Sequence, residues 1–362
     1  MVFLEAQVPR VRCRDHGVVV AHVHWARHHA GHTLDFDAQV AWLVTKCSKS
    51  AVCELMRIAW RSVGAILERE YRALDADRDR LAGLRRIGID EVSYKKGHRY
   101  LIVIVDHDTG RLVWAAEGRD ARTLNRFFEE LGEDRCAKLT HISADGANWI
   151  TKAVQTHCPA AVFCADPFHI VQWATNALDE VRRGVWRVSR TRAKQEPKRP
   201  RGRPRKDAPP RPASAQARAV KNSRFALIKN PENLTEKQAA KLAFIAKSDP
   251  RLHRAYLLKE KLRMVFRLPY DQAVEELEAW IHWARRCRIP EFVKLQRSIT
   301  AHKTRILAAI EHGLSNGRIE SVNTKIRLMT RVAFGFHSSQ SLIALAMLTL
   351  SGLKPKLPGR LR

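Results

Sequence analysis

The chain is short of acid, short of long apolar runs and short of patterned cysteine, and each shortage removes a class of function. Its 37 Asp and Glu stand against 65 Lys and Arg, a formal net charge of +28 over 362 residues. That imbalance excludes a cationic partner and is the electrostatic footprint of a polyanion binder. No apolar run is long enough to span a bilayer: the 342–350 stretch is apolar but short, and suits a core helix packed on a sheet. The first residues lack the basic-then-apolar layout of a secretory leader, so a cytoplasmic protein with no membrane partner is expected. Seven Cys without a pairing pattern suit free thiols in a reducing compartment. The length allows two or three domains with sizeable cores.

Three of the few acids stand in informative contexts. Asp90 ends the apolar run Arg86-Ile87-Gly88-Ile89-Asp90, Asp145 follows Leu139-Thr140-His141-Ile142-Ser143-Ala144, and Glu320 lies in Gly317-Arg318-Ile319-Glu320-Ser321-Val322-Asn323. The first two contexts read as buried strands delivering a carboxylate, the third as the start of a helix. An acid after an apolar run is more often a cap or turn residue, so the case rests on the surroundings. Residues 99–105 form a β-prone run, Asp106-His107-Asp108-Thr109-Gly110 is an Asp/Gly turn of the kind that joins antiparallel strands, and 111–116 gives a third strand. Leu124, Phe127, Phe128 and Leu131 fall at helical spacing over 121–131. The strand before Asp145, a helix over 147–157 and a strand over 161–164 follow. Three antiparallel strands, helix, strand, helix, strand is the order of an α/β fold of the ribonuclease H-like kind, in which Asp90 and Asp145 would end side by side.

Four motifs in order carry a family resemblance over 84–350: Gly88-Ile89-Asp90-Glu91; Ser143-Ala144-Asp145-Gly146; Ala165-Asp166-Pro167-Phe168-His169-Ile170-Val171; and Ser315-Asn316-Gly317-Arg318-Ile319-Glu320-Ser321-Val322-Asn323-Thr324-Lys325, with the tail Ala333-Phe334-Gly335-Phe336. The chain resembles a DDE transposase of bacterial insertion sequences, of the ISL-three family. The resemblance implies a catalytic and metal-ligating triad of Asp90, Asp145 and Glu320. It also implies two Mg²⁺ or Mn²⁺ ions, DNA as partner at element ends and target, a homo-oligomer that pairs two ends, and a nucleoid-associated protein. Phosphodiester chemistry by two metals needs carboxylates converging from several elements to hold ions roughly 3.5–4 Å apart. Two Asp and a Glu suit Mg²⁺, which prefers oxygen ligands.

The separation of Asp145 from Glu320 is too long for one connection in a compact domain, so a sub-domain inserted there is expected. Apolar positions at three- and four-residue spacing predict helices over 233–246, 252–265, 270–287 and 290–309. Trp280 and Trp283 share one such face, as core residues or as wedges against a bent DNA end. From Arg182 to Arg224, sixteen Lys and Arg stand against Glu196 and Asp207, half of the chain's excess charge, and six prolines from Pro197 to Pro212 predict a stretch without regular structure. Its centre, Pro200-Arg201-Gly202-Arg203-Pro204-Arg205-Lys206, resembles an AT-hook, whose extended Arg-Gly-Arg-Pro core lies in a narrow A·T-rich minor groove. The alternative is a nonspecific basic linker.

At the N-terminus the chain departs from the family pattern of two Cys-x-x-Cys pairs. Cys13-Arg14-Asp15-His16 offers one half-site, which His22, His24, His28, His29 and His32 could complete, since imidazole suits zinc. The spacing matches no structural zinc pattern, and an N-terminally shortened family member is expected. Helices over 36–46, 50–58 (capped by Ser48 or Ser50) and 60–71 form a candidate helix-turn-helix, with Arg57, Arg61 and Arg69 available to DNA; a plain three-helix packing unit is the alternative. Arg318 and Lys325 suit phosphate contacts. Asp166 and His169 are possible accessory residues, although helix capping by Asp166 with Pro167 at the first helical position explains them equally.

The expected layout is therefore a zinc-module remnant (1–35), a helix-turn-helix module (36–75), a first catalytic-core segment (84–183), a basic linker (184–224), a helical insertion (225–310), a second core segment (311–350) and a tail (351–362). Two other functions stay open: a nuclease of the same fold, and a truncated, non-catalytic DNA-binding derivative. If 200–206 is an AT-hook, replacing Arg201 and Arg203 by Ala weakens binding to A·T-rich duplex far more than to G·C-rich duplex. Competition titrations on the two duplexes check this, and equal losses identify a nonspecific tether.

Overall fold

The computed structural model describes residues 4–28, 30–196, 212–314 and 316–359. The chain folds as two compact units, Met1–Leu139 with Gly317–Arg362, and Thr140–Asn316.

The first unit opens with an antiparallel hairpin, β1 (Arg10–Cys13) and β2 (Gly17–Val20). Three helices follow: α1 (Leu34–Val44), α2 (Lys49–Met56) and α3 (Trp60–Asp75). Thr33 caps α1 by accepting from Phe36 N, and Ser48 caps α2 by accepting from Ala51 N, each satisfying an otherwise orphan amide. Between α2 and α3 the chain turns through Arg57 in the left-handed region, φ 53°. Asp37 of α1 is fully buried and takes hydrogen bonds from Arg69 and Arg27. Arg27 also reaches Glu70 at 2.6 Å.

Strands β3 (Arg86–Lys95), β4 (Arg99–Asp106) and β5 (Leu112–Glu117) pair antiparallel, with Asp90 opposite Val103 and Ile104 opposite Trp114. β4 is central to this trio and buried from Leu101 onward, which is why it reads as an unbroken apolar run. At the β4–β5 turn, Asp106 accepts from Asp108 N and Thr109 Oγ1, and Gly110 takes a positive φ of 72°. Helix α4 (Ala121–Leu131) has the bounds its spacing predicts: Asp120 caps it, and Leu124, Phe127, Phe128 and Leu131 are buried. A short helix, α5 (Glu133–Cys136), ends this segment.

The second unit begins with β6 (His141–Ala144), α6 (Asn148–His157) and β7 (Val162–Ala165), the two strands paired in parallel. Helix α7 runs from Pro167 to Gln195, and α8 spans Pro212–Asn222. Both ends of the basic stretch expected to lack regular structure are therefore helical. Val181 and Ser189 of α7 are buried while the cations fall mostly on other faces, and Pro212 starts α8, where its missing N–H costs nothing. The AT-hook-like 200–206 lies outside the described residues. Helices α9 (Arg224–Ile228), α10 (Glu236–Ser248), α11 (Pro250–Val265), α12 (Tyr270–Arg286), α13 (Pro290–Ala301) and α14 (Lys303–Glu311) complete the unit. The single helix expected over 290–309 breaks at His302, whose backbone leaves helical geometry. Trp280 is fully buried, and its indole N–H donates to Leu258 O at 2.8 Å. Trp283 is partly buried and packs against the same core.

The chain then returns to the first unit with α15 (Gly317–Val332) and α16 (Ser339–Leu350). Both join the core formed by α1–α3 and the β3–β5 strands, so the three N-terminal helices share that core and have no separate one. The packing of α15 on β3 hangs on one glycine. A Cβ at Gly88 would stand 2.0 Å from Ile319 Cδ1 and 2.9 Å from His107 Nε2, and Ile319 is fully buried with nowhere to move. We expect Gly88→Ala to cost about 1–3 kcal/mol through overpacking. In urea titrations, Ile319→Ala should cost clearly less in the Gly88→Ala background than in wild type, a coupling of about 1 kcal/mol or more; additive losses would place the constraint elsewhere.

Candidate functional site

In the first unit, β3 and α15 assemble two of the three acids. The alternation of β3 puts Gly88 and Asp90 on one face. That face meets α15, Gly88 against Ile319 and Asp90 against Asn323, whose amide Nδ2 donates to Asp90 Oδ2 at 2.7 Å. Asp90 Oδ1 accepts from the next backbone amide, Glu91 N, at 2.7 Å. Glu320 stands half-buried in the first turn of α15, one turn before Asn323. Asn323 itself is 1% exposed, and its Oδ1 is buried with no hydrogen-bond partner among the described residues.

A cationic rim borders this pair of elements. Arg318 donates through Nη1 to His107 O and to Asp108 O, so it fastens the start of α15 to the β4–β5 turn. Arg86 pairs with Asp108. Between them the buried His107 imidazole is pushed down to about 4, first by burial and then by the Arg318 and Arg86 guanidiniums, so it is neutral near pH 7. Lys325 is exposed on the same helix.

In the second unit, Asp145 follows β6 directly and is half-buried, with Oδ1 accepting from Gly146 N at 2.6 Å. Ser143, one residue inside the strand, donates to Asn316 Oδ1 at 2.6 Å, and both side chains are buried. Gly146 lies where only glycine fits comfortably: a Cβ would stand 3.1 Å from His302 Nε2 and 3.4 Å from Trp173. The His302 and Trp173 rings meet edge to face, 5.4 Å apart, and His302 Nδ1 bonds Ser298 O. Asp166 caps α7 by accepting from Phe168 N, and its other oxygen pairs with His169 Nδ1 at 2.7 Å. The capping role expected of Asp166, with Pro167 at the first helical position, is seen here.

The other expected DNA contacts fare unequally. Arg57 and Arg61 are exposed at the α2 end and the α3 start. Arg69 binds buried Asp37 through two of its nitrogens and is 27% exposed. Arg318 is exposed and engages backbone carbonyls through Nη1. Arg201, Arg203 and Arg205 lie outside the described residues. At the N-terminus, Cys13 Sγ and His16 Nδ1 meet across the β1–β2 turn at 3.5 Å. Among the described residues no group of three or more His, Cys, Asp and Glu is set to hold a metal ion; His29, one of the candidate zinc ligands, lies outside the described residues.

Asn323 against Asp90, His107 against Gly88, and Trp173 and His302 against Gly146 are side chains that sequence reasoning gave no role. For Asn323 a signal existed, since a residue three after Glu320 shares its helix face; for the others contact across distant segments left no local signal.

A profile described as a transposase matches residues 87–346, and one for the helix-turn-helix domain of transposase family ISL3 matches residues 21–71. The second match starts ahead of α1, earlier than the expected 36. The chain is 61% identical over 359 residues to the transposase for insertion sequence element IS1557 in two strains of Mycobacterium tuberculosis, covering 99% of this chain and 81% of the relative. It is 25% identical over 302 residues, 82% of this chain and 68% of the relative, to the transposase for insertion sequence element IS1001 of Bordetella parapertussis. Two acids on a β3–α15 scaffold, a third after β6, a helix-turn-helix ahead of them and these matches converge: the chain belongs to the ISL3 family of insertion-sequence transposases.

Proposed function

We propose that the chain cuts DNA at the ends of its insertion sequence and joins the freed ends to target DNA, with Asp90, Asp145 and Glu320 as the catalytic carboxylates of a ribonuclease H-like domain. The observation that carries this is the bond from Asn323 to Asp90. It ties the strand bearing one motif acid to the helix bearing another, as a shared reaction centre requires. The element order, three antiparallel strands, helix, strand, helix, strand, supports the fold assignment, in which Asp145 would join the other two acids.

The donor chemistry fits divalent metal. Asp90 and Glu320 supply carboxylates, and the unpartnered amide oxygen of buried Asn323 adds a further oxygen beside them, the all-oxygen set that Mg²⁺ or Mn²⁺ prefers. Asp90, Asp145 and Glu320 would hold two such ions, which when bound activate the attacking oxygen and neutralise charge on the leaving one. In the first step water adds to phosphorus and the bond to the 3′ oxygen breaks, leaving a 3′ hydroxyl on the element. In the second that hydroxyl attacks a target phosphodiester and displaces another 3′ oxygen. Through these steps Asn323 keeps the Asp90 carboxylate aimed. Exposed Arg57, Arg61 and Lys325 hold backbone phosphates, which carry no sequence information directly, while α3 is the element able to enter a major groove. Pairing of two ends makes a homo-oligomer the working form, acting in the cytoplasm at the nucleoid. Among the described residues no helix is long and apolar enough to cross a membrane.

Asp90→Asn, Asp145→Asn and Glu320→Gln should each abolish Mg²⁺-dependent strand cleavage and leave DNA affinity within about threefold, since each removes a ligand charge without removing a phosphate contact. Asn323→Ala should lower cleavage by about 10–100-fold, the usual cost of losing a ligand's supporting hydrogen bond. Gel assays of cleavage beside binding titrations check both, and full cleavage by any one acid variant removes that residue from the triad.

A further inference from the structure

A second polar site lies away from the acids, where the helix-turn-helix meets the C-terminal helix. Lys49, in the first turn of α2, is only 5% exposed. Its ammonium is sandwiched by aromatic faces, 4.5 Å from the Trp60 ring centroid and 5.7 Å from that of Phe336. Cation–π contact is partial compensation for burying a charge, because three N–H donors need acceptors, and among the described residues none accepts a hydrogen bond from it. Glu68 acts on it electrostatically, yet forms no ion pair with it; that carboxylate accepts from Ser341 Oγ at 2.7 Å and pairs with Arg72 at 3.5 Å.

The ammonium opens into a cavity of about 320 Å³ whose rim carries Arg61 and His337, both exposed. The start of α3 lines the same cavity and is uncapped, since Ala59 offers no side-chain acceptor to its first amides. That leaves a helix N-terminus, with its partial positive charge, beside a buried cation. Gly64 makes the approach possible: a Cβ there would stand 2.8 Å from Ser341 Oγ and 3.5 Å from Lys49 Nζ. A Lys49 ammonium that reaches the cavity with no acceptor among the described residues, an uncapped helix start, the Arg61 guanidinium and the His337 imidazole define a seat for one tetrahedral anion.

We propose that this cavity seats a backbone phosphate of duplex DNA, clamped jointly by Lys49, the α3 start and the Phe336–His337 segment. The C-terminal part of the transposase then takes part in DNA binding at the helix-turn-helix. The proposal extends the DNA-binding part of the function above and is tested without Mg²⁺, so it stands or falls apart from the carboxylate chemistry.

The test compares the full chain with Lys49→Met, which keeps the packing volume, and with Lys96→Met, which removes the same charge from an exposed hairpin. Binding of a short mixed-sequence duplex is measured across a KCl series and on duplexes carrying a single methylphosphonate at successive positions. Lys49→Met should weaken binding by about tenfold at low salt, lower the slope of log affinity against log salt by about 0.9, and lose sensitivity to one methylphosphonate position that weakens wild type; Lys96→Met should do none of these. Unchanged slope and an unchanged methylphosphonate pattern in a folded Lys49→Met protein overturn the proposal. If Lys49→Met does not fold, His337→Glu on the exposed rim takes its place, and wild-type affinity with the wild-type pattern then overturns it. Thermal stabilisation by inorganic phosphate that matches stabilisation by duplex, and is lost in either variant, would assign the seat to a free anion and refute the DNA assignment.

Discussion

Much of this protein depends on the contact between one strand and one helix that are more than two hundred positions apart. At the β3–α15 interface a glycine lets Ile319 lie almost against the strand backbone, and two residues along, the same strand face presents Asp90 to Asn323. Both contacts must form together, because strand alternation and helical spacing keep the two registers in step. A wider residue at Gly88 would lift the helix and lengthen the bond to Asp90. Core packing and carboxylate orientation are therefore one constraint, and Arg318 reinforces it by fastening the helix start to the β4–β5 turn.

The large positive charge divides into three uses. Some cations are structural: Arg69 and Arg27 neutralise the carboxylate of buried Asp37 and so brace α1 against α3, and Arg318 serves backbone carbonyls. Others stand exposed, such as Arg57, Arg61 and Lys325, where a phosphate gains from them at little desolvation cost. Lys49 belongs to a third kind, buried but without an acceptor among the described residues, and its aromatic neighbours come from segments as distant as Trp60 and Phe336. Net charge alone announces a polyanion partner; it does not separate these uses.

Local pattern decided a good deal by itself. The amphipathic spacing after Asp120 set the limits of α4, the Asp/Gly turn set the β4–β5 hairpin, and apolar periodicity, with a serine cap on the second, marked the three N-terminal helices to within a few residues. The four acid-bearing motifs, in order, were enough to indicate the family. These features are readable because each is fixed by neighbours within a turn or two along the chain. The prolines of the basic stretch begin at Pro197, and ahead of them α7 continues to Gln195 with Arg182 and Ser189 buried.

Tertiary structure alone decided which acids gained partners and which cations were spent. Nothing near Asp90 in the chain indicates that Asn323 orients it, nothing near Asp145 places His302 against the following glycine, and nothing near Arg69 marks it as the counter-charge of Asp37. Each of these depends on where distant backbones come to rest, and steric fit and desolvation then select the partner. The sequence by itself determined which elements form and the kind of chemistry their motifs point to, because propensity, capping and periodicity act locally. The tertiary structure decided orientation and pairing, because these are settled by contacts that exist only once the chain has folded.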